Sequence, residues 1–328
     1  MIVAIETHHR GGCGVRVLTG VPGSLVGGKR HPLIGALLRS LYKSRVARQI
    51  IARWCGARLG AWEVPHRLET VVLDDAVVHL THVGEGPPRV VFVPGTNFNA
   101  AAGLTIAAAL ARHWPTTIVN LPGQPGLGSG ERPRGAHRGW YGRKLAQALE
   151  SVGTEPVIAL GHSLGGAVLL TCDSDRIAGR VLLAPAGIAE LRLDARMLAP
   201  SLRWMLAPTP ERTRAMLTHF TAPGTPPPEP IVEWLDLVAI HCRSTLAPPP
   251  LPTETLRRHL GSPLLVATGA HDRFLPPDHL GPAVKERLGL DLHVIADAGH
   301  LVTEERPEAI TALVDLMLTD LDSPPDHV

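Results

Sequence analysis

A serine flanked by glycines two residues to either side sits in Gly161-His162-Ser163-Leu164-Gly165. The apolar run Pro156-Val157-Ile158-Ala159-Leu160 enters this motif, and the helix-compatible stretch Gly166-Ala167-Val168-Leu169-Leu170 leaves it. A strand, a tight turn and a helix in that order form a nucleophile elbow. The serine takes a strained conformation, and only small neighbours let strand and helix approach that closely. Its hydroxyl then projects at the carboxyl end of a sheet, beside the positive end of the following helix. The chemistry this suggests is attack of Ser163 on a carbonyl carbon. A glycine-rich β–α turn with an incidental serine is the plainer alternative, and the pentapeptide alone does not decide between them.

A serine hydroxyl needs a base, and the base needs a group that orients it. In this architecture they follow in the order serine, acid, histidine. The apolar run Ser262 to Thr268 leads into Gly269-Ala270-His271-Asp272, which puts Asp272 on a loop just past a strand. The run Leu290 to Ile295 leads into Ala296-Asp297-Ala298-Gly299-His300, which puts His300 on the next such loop. Groups at the carboxyl ends of three strands of an open parallel sheet can converge on one point. His300 would take the proton of Ser163 and return it to the leaving group, while Asp272 holds the imidazole tautomer. Asp297 is the rival acid, on the same short loop as His300. Seen singly, Asp272 reads as a turn residue and His300 as one of 17 histidines. Their order after the strands is what joins them. The N–H of Leu164, next after the nucleophile, is placed to stabilise a developing oxyanion.

The elements that must position these groups are also legible. From about Arg67 the apolar pattern has period two, and Leu68–Leu73 with Ala76–Val83 reads as a β-hairpin. Strands and helices then alternate, which predicts a mostly parallel sheet with helices on both faces. Helices are expected near 100–112, 137–151, 164–172, 277–288 and 307–321. Between Ala186 and His259 this rhythm stops. Helix-like stretches carrying Leu191, Leu198, Trp204, Met216 and Trp234 are separated by proline-rich breaks at 222–230 and 247–252.

Across residues 68–320 the chain resembles the serine-dependent, lid-bearing α/β-hydrolases. The resemblance rests on Pro94-Gly95-Thr96-Asn97, Asn120-Leu121-Pro122-Gly123, the elbow, Gly269 to Pro276 and Ala298-Gly299-His300. It implies an α/β-hydrolase fold and reads residues 187–259 as a helical lid supplying apolar pocket wall. It divides the chain into a basic extension, 1–66, and a core of 67–186 and 260–328. It also implies a second oxyanion donor, the N–H of Thr96. Where the family has His-Gly this chain has Pro94-Gly95, which removes a bracing side chain but not the backbone donor. Asn97 reads either as an added donor or as the cap of the helix expected near Ala100. A second departure puts Asn120 where the family often has Asp, in a lengthened glycine-rich loop. No Gly-Lys-Ser/Thr follows that loop, so it does not read as a phosphate cradle.

The activity expected is cleavage of an ester, thioester or lactone through an acyl-enzyme on Ser163, His300 and Asp272, with a small hydrophobic, uncharged substrate. Acyl transfer or cyclisation with the same three residues is the first alternative. A noncatalytic ligand-binding protein on this fold is the second. No cofactor or metal is expected, since Cys13, Cys55, Cys172 and Cys242 make no C-x-x-C pair or metal spacing. A net charge of +2 gives no global nucleic-acid signal, yet residues 1–67 carry +9 and the remainder −7. Within that basic segment Ile34, Leu37, Leu38 and Leu41 form a helical stripe flanked by Arg39, Lys43, Arg45, Arg48 and Arg53. A helix over residues 33–54 is expected to pack its stripe on the body, the alternative being an anionic membrane surface or a partner. Without a recognisable secretory signal or an apolar run of about 18 residues, a cytoplasmic location with reduced cysteines is expected.

Overall fold

Short apolar runs without alternation, such as Val90-Val91-Phe92-Val93, need cover on both faces, and that requirement organises the molecule. The computed structural model describes residues 3–7, 39–192, 195–243 and 248–322. In chain order its elements begin with β1 (Val3–Thr7), β2 (Arg39–Ser40), α1 (Arg45–Gly60), β3 (His66–Val72), β4 (Val77–Val83) and β5 (Val90–Val93). They continue with α2 (Leu104–Ala111), β6 (Thr116–Asn120), β7 (Glu131–Arg132), α3 (Trp140–Leu149), β8 (Val157–His162), α4 (Leu164–Thr171) and β9 (Ile177–Leu183). Among the described residues four helices follow without a strand, α5 (Ala195–Leu206), α6 (Pro210–Leu217), α7 (Glu229–His241) and α8 (Thr253–Arg257). The chain closes with β10 (Leu264–Gly269), α9 (Pro277–Leu288), β11 (Leu292–Ile295), α10 (Val302–Glu305) and α11 (Pro307–Asp322).

The main sheet runs β1-β3-β4-β6-β5-β8-β9-β10-β11. β1, β3 and β4 pair antiparallel at one edge, and β4 meets β6 antiparallel. From β6 to β11 every pairing is parallel. This is the α/β-hydrolase architecture the sequence leads one to expect. Alternate residues of each strand serve opposite faces. Val91 and Val93 join a core with Leu145 of α3, Val168 of α4 and Leu280 of α9. Val90 and Phe92 join the opposite core with Ile106 of α2 and Val314 of α11. β5 and β8 lie entirely buried in the middle. Because β8, β10 and β11 point the same way, the loops after them open on one edge of the sheet.

Two expectations need correction. The helix expected near Ala100 starts at Leu104. Residues 99–102 instead form a turn in which Asn120 Oδ1 takes the N–H of Ala100 (2.7 Å) and Asn99 Oδ1 that of Ala102 (3.1 Å). Asn120 Nδ2 also donates to the His79 carbonyl (2.8 Å). An amide can both accept and donate here, whereas a carboxylate could only accept.

The N-terminal helix is likewise displaced. Ile34, Leu37 and Leu38 lie outside the described residues, and Arg39–Ser40 is extended, paired antiparallel with Arg132–Glu131. The helix begins after Ser44, whose hydroxyl accepts the N–H of Ala47 (3.0 Å), and runs past Trp54 to Gly60. The chain there repeats its apolar residues every four positions, at Ala47, Ile51, Cys55 and Leu59, all buried. This stripe packs with Met216, Leu217 and Trp234 of α6 and α7, and Trp54 meets Trp234 with ring centroids 4.7 Å apart. Lys43 Nζ donates to the carbonyls of Ala239 and Ile240, both at 2.9 Å, in the last turn of α7. A cation there complements the helix dipole. No helix among the described residues is long and apolar enough to cross a membrane.

Ile51 is fully buried at the centre of that contact, so Ile51→Ala is expected to lower stability by about 3 kcal/mol. Val46, on the outer side of the same helix and 62% exposed, should change it by less than about 0.5 kcal/mol when cut to Ala. Urea unfolding of both variants checks the pair.

Candidate active site

Between β8 and α4 the chain reverses within one residue. Ser163 has φ 50° and ψ −110°, a left-handed conformation that costs a non-glycine residue on the order of 1–3 kcal/mol. Neighbouring contacts hold it there. Its N–H donates to the Leu183 carbonyl (2.9 Å), and its own carbonyl accepts from Gly166 and Ala186, each at 3.0 Å. The glycines are sterically required. A Cβ on Gly161 would stand 2.7 Å from the Gly165 carbonyl, and one on Gly165 would overlap the carbonyl oxygen of Val93.

The structure brings the three residues singled out in the sequence together. His300 Nε2 lies 3.2 Å from Ser163 Oγ, and His300 Nδ1 lies 2.8 Å from Asp272 Oδ2. Asp272 is 1% exposed. Its Oδ1 accepts the N–H groups of Phe274 (2.8 Å) and Leu275 (3.0 Å), and Thr268 Oγ1 donates to Oδ2 (3.2 Å). Burial alone would raise the Asp272 pKa. The charge and hydrogen bond of His300, with the two backbone donors, outweigh it and hold the carboxyl below its ordinary range. An ionised Asp272 fixes the His300 proton on Nδ1 and leaves the Nε2 lone pair facing the serine hydroxyl. Asp297, the rival acid, points elsewhere: its side chain is 77% exposed and pairs with Arg306 at 3.6 Å.

Two further residues hold the His300 loop, and sequence reasoning missed both. His162 Nε2 donates to the His300 carbonyl (2.8 Å). Burial, with the neighbouring His300 charge, pushes the His162 pKa down to about 3, so the ring is neutral. Glu305 accepts the N–H of Gly299 (2.8 Å) and that of Ala222 in the α6–α7 connection (2.6 Å). The Leu301 N–H adds a bond to the Phe220 carbonyl (2.9 Å). The only sequence signal was that His162 lies inside the motif. Nothing local links it to a carbonyl so far along the chain.

Thr96 follows β5, beside β8. Neither its N–H nor that of Leu164 donates to a protein acceptor among the described residues. Asn97 does not cap the helix, which starts at Leu104 behind Gly103. It has φ 64°, donates its N–H to Gln124 Oε1 (2.9 Å) and accepts Trp234 Nε1 at its carbonyl (2.7 Å). The loop is thereby pinned to both the core and the helical insertion. Thr96, Ser163 and His300 line a cavity of about 230 Å³ whose other walls include Leu191, Trp204, Met216, Phe220, Leu235 and Phe274. Among the described residues no group of three His, Cys, Asp or Glu side chains is placed to hold a metal ion.

A model of the alpha/beta hydrolase family matches residues 90–313. Lipase LipV of Mycobacterium tuberculosis is 29% identical over 272 residues, spanning 72% of this chain and 96% of that protein. Among solved structures, carboxylesterase CesB of Bacillus subtilis superposes with a TM-score of 0.67 at 16% identity, over 84% of this chain and 99% of that one. Naproxen esterase of Bacillus subtilis does so with a TM-score of 0.65 at 18% identity, over 83% and 97%. At that identity the two structures show likeness of fold.

A histidine neutral when folded and ordinary when unfolded makes stability depend on pH. Between about pH 6.5 and 3 only the unfolded state takes up the His162 proton, so this contribution is lost as pH falls. From pH 7 to pH 5 the parent should lose about 2 kcal/mol more than His162→Gln, measured by denaturant unfolding at both pH values. Equal losses would mean His162 is not the buried neutral group described.

Proposed function

This chain belongs to the alpha/beta hydrolase family, and on that footing we propose that it is a serine hydrolase cleaving ester-type bonds through an acyl-enzyme. The single observation that carries the reading is the hydrogen-bonded line Asp272–His300–Ser163 ending at an apolar cavity. Ser163 Oγ attacks the substrate carbonyl carbon as its proton passes to His300 Nε2. The tetrahedral oxygen receives the N–H groups of Thr96 and Leu164, which have no other acceptor among the described residues. Collapse expels the alcohol, thiol or ring oxygen, protonated by His300, and leaves an acyl group on Ser163. Water, deprotonated by His300, then releases the acid and restores the serine. Asp272 stabilises the imidazolium in both halves. Each oxyanion donor of this kind is worth on the order of 3 kcal/mol of barrier.

The cavity walls indicate what is seated there. They are mostly hydrophobic or aromatic, with Thr96, Asn97 and Ser201 as the polar neighbours of the reacting groups and, among the described residues, no carboxylate, Lys or Arg. The part of the substrate held there is therefore hydrophobic and uncharged. Helices α5, α6 and α7 supply Trp204, Met216 and Leu235, which fits the reading of residues 187–259 as a lid over a core of 67–186 and 260–328. In the same reading α1 of the basic extension braces that lid instead of lying on a membrane.

Ser163→Ala should remain folded and lose both esterase activity and labelling by a fluorophosphonate, followed by intact-mass spectrometry. Full activity in that variant would remove Ser163 from the role. Asp272→Asn should lower kcat on the order of 10⁴-fold through the wrong imidazole tautomer, while Asp297→Asn should leave it within about twofold. The reverse pattern in steady-state kinetics would reassign the acid.

A further inference from the structure

A second cleft, of about 460 Å³ and lined in part by Leu164 next to the serine, has the opposite chemistry. Four arginines from three stretches of chain line it: Arg39 of β2, Arg132 of β7 with Arg134 just beyond, and Arg243 after α7. No Asp or Glu is among its lining residues that the structure describes. In a chain with 32 basic and 30 acidic residues, such one-signed convergence is not what average composition produces. It also carries an electrostatic cost. Arg39 and Arg132 are direct cross-strand partners in the two-residue ribbon, where like charges destabilise the pairing. Arg243 is fastened to the same ribbon, donating to the carbonyls of Ser40 (2.8 Å) and Tyr42 (2.6 Å). Arg39, Arg134 and Arg243 form no ion pair with a carboxylate among the described residues.

A second observation comes from the buried Tyr141, which also lines the cleft and is 3% exposed. Its hydroxyl oxygen accepts from Gln124 Nε2 (2.8 Å) and from Arg132 Nη1 (3.1 Å). Both donors are unambiguous, because Gln124 Oε1 is occupied by the Asn97 N–H and a guanidinium only donates. The Tyr141 oxygen therefore uses its lone pairs on these two, and its own proton has no acceptor among the described residues. Donors thus converge on a cleft whose lining, among the described residues, includes no carboxylate.

We propose that this cleft binds an oxyanion, a carboxylate or phosphate group, through Tyr141, Arg134 and Arg243 beside the hydrolase site. Guanidinium forks match both groups in shape and charge. The anion has two possible sources. It is a substituent on the leaving-group side of the substrate, a use that rests on the hydrolase reading above, or it is a separate small ion. Either way it sits one hydrogen-bonded residue, Gln124, from the Thr96–Asn97 loop.

The test begins with inorganic phosphate titrated calorimetrically into the full chain carrying Ser163→Ala, with NaCl holding ionic strength constant. Saturable binding at one site is expected, weakened about tenfold by Tyr141→Phe and by Arg134→Gln. Arg134 is exposed, so its variant remains informative if Tyr141→Phe fails to fold. The sources are then separated with the parent enzyme on phenyl butyrate and 3-(butyryloxy)benzoate. A kcat/KM at least tenfold higher for the carboxylated ester, with competition by phosphate, identifies the substrate's own group. Phosphate binding with equal use of both esters identifies a separate ion. No saturable phosphate binding together with no preference for the charged ester overturns the proposal, as does binding that Arg134→Gln leaves unchanged. If neither ester is cleaved, the hydrolase reading fails, and the calorimetry still decides whether the cleft binds an anion.

Discussion

The contact between Gly165 and the carbonyl of Val93 is the steric constraint on which the site depends. α4 can start directly behind β8 only if nothing projects from Gly165 toward β5. That closeness forces Ser163 into its left-handed turn and keeps the loop carrying Thr96 beside it. The elbow is therefore a consequence of three elements meeting without side chains between them. Its strain is balanced by the backbone bonds of Ser163 to Leu183, Gly166 and Ala186.

Around this fixed serine the His300 loop is held from several sides. Asp272 grips the imidazole, His162 the carbonyl, and Glu305 the preceding N–H. The neutral state of His162 and the ionised state of Asp272 belong together. On the proposed mechanism a second cation beside His300 would compete with the imidazolium for the Asp272 carboxylate, and burial keeps His162 neutral. Groups held this way need little reorganisation when charge develops.

The helical insertion is tied to that loop and to the N-terminal helix at once. Glu305 reaches Ala222, Trp234 reaches the Asn97 carbonyl, and Trp234 also stacks on Trp54. The apolar cavity therefore has a wall braced from behind by α1. The arginine cleft is lined by the β2–β7 ribbon and the residues just after it.

Much of this was legible in the chain itself. Glycine spacing around Ser163, and the apolar runs ending before Asp272 and His300, foretold strand, turn and order, because these signals act over a few residues. The proposed acid, base and nucleophile followed from that order. Where the sequence misled, the cause was local ambiguity. Residues 39–44 fall within the expected helix, yet Ser44 caps it and Arg39–Ser40 pairs as a strand. Asn97 looks like a cap, yet Asn99 and Asn120 satisfy the turn N–H groups. Other features had no local signal at all. The bonds from His162 to His300 and from Glu305 to Ala222 join residues far apart in the chain, as does the gathering of Arg39, Arg132, Arg134 and Arg243. Short-range sterics and hydrophobic period determine elements and their order. Which buried donor meets which acceptor, and where charges collect, is decided only when the elements pack, because those interactions depend on distance in space and not along the chain.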